Sequence, residues 1–137
     1  MKLTKEQLVD LLCTATYSSE WLACKCLNSE KHLDGQFSQE YLDNRSLEDK
    51  WADRLLAGGT LVCIDYEDFE MDVEHNEEVP KRYKLTLKDF EEKLQKAPFE
   101  DDVCIVRSFC NWRTDDYDYY DCNNLLQYIM FGNVVYG

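Results

Sequence analysis

Histidine, proline and glycine are scarce in this sequence, which contains two, two and five of them. The few prolines and glycines leave no Gly/Pro/Ser-rich linker, and no repeat recurs at a period of about 20–50 residues. We therefore expect a single domain spanning residues 1–137. No run approaches the roughly 20 apolar residues of a membrane span. The stretch from Met1 to Glu6 is polar and amphipathic, so we expect a soluble, cytoplasmic protein.

Catalytic motifs are also absent. The sequence has no P-loop, no G-x-G-x-x-G and no G-x-S-x-G pattern. The two histidines, His32 and His75, give no base at a recognisable position for Cys/His nucleophilic chemistry. Exposed acids in a like-charge run stay ionised near neutral pH and are poor general acids. We predict that the protein is not an enzyme and uses no cofactor.

Cysteine, a ligand of soft metal ions, is present in seven copies. An odd number among hydrophobic neighbours is untypical of a disulfide scaffold and favours reduced thiols. Cys24 and Cys26 are too close for the usual zinc spacing, and no second ligand pair follows. The acidic runs lack the central glycine of an EF-hand calcium loop. We predict no metal site.

Charge is the feature that stands out. The chain has 28 acidic and 15 basic residues, a formal net charge of −13 and a pI near 4.4. Between Asp65 and Glu78 there is no Lys or Arg at all, and the segment holds eight carboxylates: Asp65, Glu67, Asp68, Glu70, Asp72, Glu74, Glu77 and Glu78. The chain is nevertheless 45% hydrophobic and 13% aromatic, so the charge belongs to a folded body and not to a disordered tail.

Hydrophobic periodicity predicts alternating helices and strands. Capping signals and apolar stripes predict four helices: 5–16, 47–57, 87–96 and a last helix from Tyr119 that ends at Gly132. In the second helix we expect Leu47, Trp51, Leu55 and Leu56 to face inward. Strands are expected at 21–27, 60–64, 82–87 and 103–109, and a short extended tail at 134–136. Residues 28–44 lack clean periodicity and are interpreted as mostly loop, with one helical turn considered at Gln39 to Leu42.

The predicted fold class is therefore α+β, a single domain of about four helices packed on a small, mainly antiparallel sheet. Strand 60–64 is expected to pair with strand 82–87. Lys81, Arg82 and Lys84 then lie close to the acidic run and are expected to pair with it. Three bases beside eight acids make a poor phosphate track, so direct nucleic-acid binding is not expected.

Acids and apolar residues alternate from Asp68 to Glu74, the period of a strand with one carboxylate face and one buried face. Tyr66 lies among these acids as an aromatic anchor of the kind favoured at interfaces. A second run repeats the composition, although an acidic helix N-terminus explains it equally well: Asp115, Asp116, Tyr117, Asp118 and Tyr119. Both runs are candidate partner-binding residues. The alternative is a solvated acidic loop that only aids solubility.

Three stretches resemble a family of small, largely uncharacterised proteins encoded by phages and prophages. They are LCTATYSSEW from Leu12 to Trp21, GGTLV from Gly58 with YKLTL from Tyr83, and the ending LQYIMFGNVVYG from Leu126. Members of the family usually end in a Q-Y-x-x-F-G-x-V-V/I-Y/F-G string and carry a T-A-L-E-G-G-like turn before the first Trp. Here that turn is Thr16-Tyr17-Ser18-Ser19, and the acidic run lengthens the hairpin loop. The resemblance implies a phage or mobile-element origin and brings no catalytic residues.

These observations predict a phage-type acidic inhibitor in the host cytoplasm. Its partner would be a basic, nucleic-acid-binding surface of a host defence protein, such as a CRISPR effector or a restriction enzyme, and its carboxylates would take the place of phosphates. One alternative is a protein that sequesters a small molecule or nucleotide signal in a pocket. Another is a self-assembling phage accessory protein.

Overall fold

A computed structural model describes residues 1–137. It contains a three-stranded antiparallel sheet in the order β1-β2-β3, which confirms the α+β class. The strands are β1 Leu22–Cys26, β2 Thr60–Asp72 and β3 Glu77–Thr86. The α-helices are α1 Lys5–Thr16, α2 Gln39–Asn44, α3 Leu47–Leu56, α4 Leu87–Lys96, α5 Val103–Arg113 and α6 Tyr119–Phe131. Two 3₁₀ segments, Asn28–Gln36 and Ala97–Phe99, complete the chain.

The helix count corrects the expectation of four, because α2 was expected as no more than a helical turn at 39–42 and α5 was missed. Residues 103–109 were predicted as a strand but form the first part of α5. The Asp102 side chain caps this helix by accepting a hydrogen bond from the Cys104 backbone N–H at 2.9 Å. Burial of Ile105, Ser108 and Trp112 follows the helical spacing of three and four residues. Tertiary packing here overrides the strand preference of the β-branched residues.

The helices begin where the sequence carries capping residues. Thr4 opens α1 with a reciprocal capping box, and Ser46 and Asp118 do the same for α3 and α6. Gly132 ends α6 in the left-handed conformation at φ 84°, which a residue with a side chain adopts only with strain. α6 is the most buried helix and packs against α1 and α5, while α3 packs against α1 and β2.

The buried face of α3 differs from the expectation. Leu47 and Leu56 are 56% and 40% exposed, whereas Asp53 and Arg54 are buried together with Trp51 and Leu55. The helix therefore buries two charged side chains, Asp53 and Arg54. Gly59 makes room for this arrangement, because a Cβ there would lie 2.6 Å from Cδ of Arg54.

The strand register shows where the sheet narrows. β1 pairs with β2 only from Leu22↔Asp65 to Cys26↔Leu61. β1 therefore does not cover the part of β2 that follows Asp65. β2 and β3 continue alone from Phe69↔Pro80 to Asp72↔Glu77. The expected pairing of 60–64 with 82–87 is confirmed, but both strands are longer than predicted. The extra length forms a two-stranded projection, which we call the hairpin arm (residues 66–80).

None of the helices is long and apolar enough to cross a membrane.

Candidate functional site: the hairpin arm

A bulge separates the hairpin arm from the rest of the sheet. Asp65 pairs with Lys81 and Phe69 with Pro80, so Tyr66, Glu67 and Asp68 have no counterpart on β3. Pro80 lacks a backbone N–H and cannot donate to the ladder, which suits a position where regular pairing is interrupted. Bulges bend a strand and redirect its side chains. The bulge thus lies directly after Asp65, the last residue of β2 that pairs with β1.

The tip of the arm is held by local hydrogen bonds. Oδ1 of Asp72 accepts from the backbone N–H groups of Glu74 and His75 at 3.1 and 3.3 Å, and its Oδ2 lies 2.8 Å from Nδ1 of His75. These contacts with His75 lower the pKa of Asp72 from its ordinary value. Asn76 turns the chain at φ 52°, a conformation that asparagine adopts more readily than most residues.

The apolar side chains of the arm are not buried, which corrects the expectation of a buried face. Tyr66, Phe69, Met71 and Val73 are exposed by 46, 50, 58 and 86%. The physical reason is that β1 begins at Leu22, opposite Asp65. No strand or helix extends past this point to cover the arm. Phe69 and Met71 share a face with Pro80 and Glu78, their cross-strand partners. A short two-stranded ribbon with an uncovered apolar face is unusual on a monomer surface.

Six of the eight carboxylates in the first run form no ion pair in the structure: the buried Asp65 and, on the arm itself, Glu67, Glu70, Glu74, Glu77 and Glu78. Asp72 and Glu77 face each other directly across the ladder, where like charges repel. Of the three basic residues expected to pair with this run, only Lys81 does so, with 4.0 Å between its Nζ and Oδ2 of Asp68. The arm therefore keeps a surplus of uncompensated negative charge.

Asp65 stands apart from the other predicted partner-binding residues. It is 1% exposed and accepts hydrogen bonds from the Tyr136 hydroxyl at 2.7 Å and the Glu67 backbone N–H at 2.9 Å. Burial and this carboxylate raise the pKa of the Tyr136 phenol above its ordinary value. Asp65 is thus a structural residue at the base of the arm and has no surface to offer a partner.

The second acidic run lies elsewhere. Asp115 and Asp116 are exposed, but Asp118 caps α6, with its Oδ1 2.9 Å from the Asp121 backbone nitrogen. α6 has 13 residues and is about 20 Å long, and this cap lies at its start. Phe131 lies at its other end, where its ring packs on Tyr83 of β3 with 5.0 Å between the ring centroids. Tyr117 packs against the core and Tyr119 is half-buried. The two runs do not form one surface, and the second serves the start of α6.

The second run has its own acidic neighbours on α1. Burial, together with the charges of Glu6 and Asp115, raises the pKa of Asp10. Burial and Asp10 in turn raise the pKa of the Tyr117 phenol. Glu6, Asp10, Asp115 and Tyr117 line one cavity between α1 and the loop before α6.

Sequence reasoning missed a buried ionic cluster that joins α1, α2, α3 and the 3₁₀ segment 28–36. Asp53, which is 4% exposed, accepts hydrogen bonds from Arg45 at 3.1 Å and from the Tyr41 hydroxyl at 2.9 Å, and its Oδ1 lies 3.0 Å from Nζ of Lys5. Asp34 is shared by Arg45 and Arg54 at 3.1 and 3.3 Å. Burial alone would raise the pKa of Asp34, but the two guanidinium groups outweigh it and hold that pKa below its ordinary value.

One signal in the sequence pointed to this cluster: Asp49 and Asp53 stand four apart on α3 and so share a face, and both lie near Nζ of Lys5 at 3.6 and 3.0 Å. Other members of the cluster come from residues 28–45, where no periodicity revealed the structure. No group of three or more His, Cys, Asp or Glu side chains is arranged to hold a metal ion.

No protein-family model matches the chain, and neither curated proteins nor solved structures show significant similarity to it. The resemblance to phage proteins therefore stays a prediction. The geometry of the arm is the main support for a function.

Proposed function

We propose that the protein is a phage-type acidic inhibitor whose hairpin arm binds a basic, nucleic-acid-binding surface of a host defence protein. The observation that supports this most directly is the uncovered face of Phe69 and Met71 in an arm where five carboxylates form no ion pair. Interfaces typically combine a buried apolar centre with a polar rim. The arm offers both elements on one projecting ribbon.

The charge of the arm favours a basic partner over a neutral one. Five unpaired carboxylates on a short ribbon steer an oppositely charged surface into contact and repel nucleic acid itself. Lysines and arginines that normally grip a phosphate backbone would pair with these carboxylates and release their own counterions. The inhibitor then competes with nucleic acid for the same surface. The resemblance to phage proteins supports a host defence protein as the partner.

The apolar centre and the acidic rim make separable contributions. Phe69 and Met71 contribute contact area, and truncating a well-packed interface anchor typically costs at least about 2 kcal/mol of binding free energy, or roughly 30-fold in affinity. The acids contribute mainly to the association rate and its dependence on salt. An arm that only aids solubility would show neither effect.

The experiment uses the immobilised protein to capture partners from a nuclease-treated bacterial lysate. An arm variant replaces Glu70, Glu74, Glu77 and Glu78 by Gln, leaving Asp72 to hold the tip. A matched control replaces four exposed, unpaired acids outside both acidic runs by their amides: Glu6, Glu20, Glu40 and Asp101. Both variants carry a formal net charge of −9, four less negative than −13. A third variant, Phe69→Ala with Met71→Ala, tests the apolar centre.

The proposal requires a captured protein whose nucleic-acid binding is competed away by the unchanged chain and by the control. The arm variant should bind it more slowly, with a flatter salt dependence, and the apolar variant should bind it about 30-fold more weakly. Equal binding by the arm variant and the control would refute the proposal. A self-assembled species that dissociates when Phe69 and Met71 are replaced would point to the accessory-protein alternative instead.

A further inference from the structure

A cleft with the opposite charge lies at the far end of the sheet from the arm. It is a cavity of about 390 Å³ between the end of β1, the 3₁₀ segment 28–36 and the start of α3, and an adjoining cavity of about 330 Å³ shares Cys26, Asn28 and Lys50 with it. Cys26 pairs with Leu61 at one end of β1, and Leu22 pairs with Asp65 at the other, where the arm begins. The cleft and the arm are thus separate surfaces.

Four cations line the larger cavity with a single carboxylate: Lys31, Arg45, Lys50 and Arg54 against Asp34. We call this set the basic cleft. Asp34 is already shared by the two arginines. Lys31 and Lys50 form no ion pair, although the chain has 28 acidic residues with which to provide one. Two ammonium groups therefore remain without an ion pair in a cavity that two paired guanidinium groups also line.

Buried donors in the walls also lack acceptors. Nε of Arg54 and Nε1 of Trp51 have no hydrogen-bond partner, although their residues are 1 and 4% exposed, and Oδ1 of Asp34 is an unpartnered acceptor beside Arg54. Arg54 lines the larger cavity and Trp51 the adjoining one. Leaving a buried donor unpaired costs about 1–3 kcal/mol, so such groups usually mark an unseen partner or a functional site.

The backbone adds positive potential. Ser46 and Leu47 line the cavity at the N-terminus of α3, a helix of 10 residues. The Asp49 N–H donates to Oγ of Ser46 at 3.1 Å, and the acids Glu48 and Asp49 occupy the first turn. The N–H groups of Leu47 and Glu48 are therefore the ones without a partner within the helix. Phosphate groups bind readily at such helix ends when cationic side chains converge there.

We propose that the basic cleft binds the phosphate group of a small phosphorylated molecule. Two uncompensated lysines match the charge of a phosphate dianion, and the guanidinium groups offer further donors in a fork that suits its oxygens. The adjoining cavity has room for the organic part of the ligand, beside the indole of Trp51. This inference does not depend on the function proposed for the arm.

The probe is inorganic phosphate, titrated at constant ionic strength against the isotope-labelled full chain and followed by ¹H–¹⁵N NMR. Saturable shifts are expected for the backbone amides near Asn28, Lys31 and Lys50 and for the indole N–H of Trp51. Acetate, with one charge fewer, should bind more weakly. Replacing Lys31 and Lys50 by Gln should weaken phosphate binding about tenfold for each lysine, since a charge-assisted hydrogen bond is worth roughly 1.5 kcal/mol or more.

The matched control replaces the exposed Lys2 and Lys88 by Gln, which gives the same formal net charge of −15, two more negative than −13. Its phosphate affinity should equal that of the unchanged chain. The proposal is overturned by shifts that do not saturate, by saturable shifts centred outside the cleft, by acetate binding as tightly as phosphate, or by an equal loss in the two variants. Both variants alter partly or fully exposed lysines, so their folded spectra verify the fold in the same experiment.

Discussion

The hydrogen bond between Tyr136 and Asp65 joins residues 71 positions apart and attaches the C-terminal segment to the base of the hairpin arm. Replacing Tyr136 by Phe removes only the hydroxyl. The ring keeps its contact with Trp21, whose centroid lies 4.7 Å away. Asp65 is 1% exposed and keeps only the Glu67 backbone N–H as a donor. A hydrogen bond to a buried charged acceptor contributes about 1.5–3 kcal/mol, so we expect the free energy of unfolding to fall by that amount.

The assay is equilibrium unfolding in urea at pH 7, with Tyr120→Phe as the control. Tyr120 is 64% exposed, so its variant should change the free energy of unfolding by no more than about 0.5 kcal/mol. A double-mutant cycle with Asp65→Asn should show a coupling energy of roughly 0.5–3 kcal/mol. A loss for Tyr136→Phe as small as that of the control would refute the claim that this bond holds the arm's base.

The same pair has a signature in alkaline solution. Burial and Asp65 raise the pKa of Tyr136 above its ordinary value of 10.0, so the folded state resists losing this proton more than the unfolded state does. The resulting stability is fully present below pH 10 and is lost as the pH rises beyond it. The difference between the unchanged chain and Tyr136→Phe should therefore shrink above pH 10.

Two further predictions concern the core and the thiols. Leu126 is fully buried, so Leu126→Ala should lower the free energy of unfolding by about 2–5 kcal/mol in the same urea assay, and a loss below about 0.5 kcal/mol would contradict its place in the core. All seven cysteines are free in the structure, so thiol titration of the freshly purified, denatured protein should find seven reactive groups, and two stable disulfides would contradict this assignment.

The local signals in the sequence predicted the helices well where capping and periodicity agreed. α1 begins and ends at the predicted residues because a capping box precedes its apolar stripe. α5 was predicted wrongly because Val103, Ile105 and Val106 favour a strand locally, while their fate depends on packing against α6. The C-terminal segment was expected to be extended. It pairs with no strand of the sheet, and Gln127 holds it by accepting from the backbone N–H groups of Val135 and Tyr136, each at 2.8 Å.

The candidate surfaces were harder to predict, since they depend on the exact ends of the strands and helices in the folded protein. The acid and apolar alternation in the arm is a correct strand signal, but only the length of β1 decides that Phe69 and Met71 stay uncovered. The basic cleft draws Lys31 and Arg45 from segments without periodicity and Lys50 and Arg54 from α3. Short 3₁₀ and helical pieces of this kind carry little sequence signal.

The opposite charges of the arm and the basic cleft imply that salt acts differently on the two. At an ionic strength of about 0.1 M the Debye length is about 10 Å, so the exposed carboxylates of the arm attract a distant basic surface less as salt rises. An anion approaching the cleft is first repelled by a chain of net charge −13 and then attracted by partly buried cations close to it. Added salt screens both forces, and their changes oppose each other. A steep loss of binding with salt therefore identifies the arm, whereas a shallow response is the mark of the cleft.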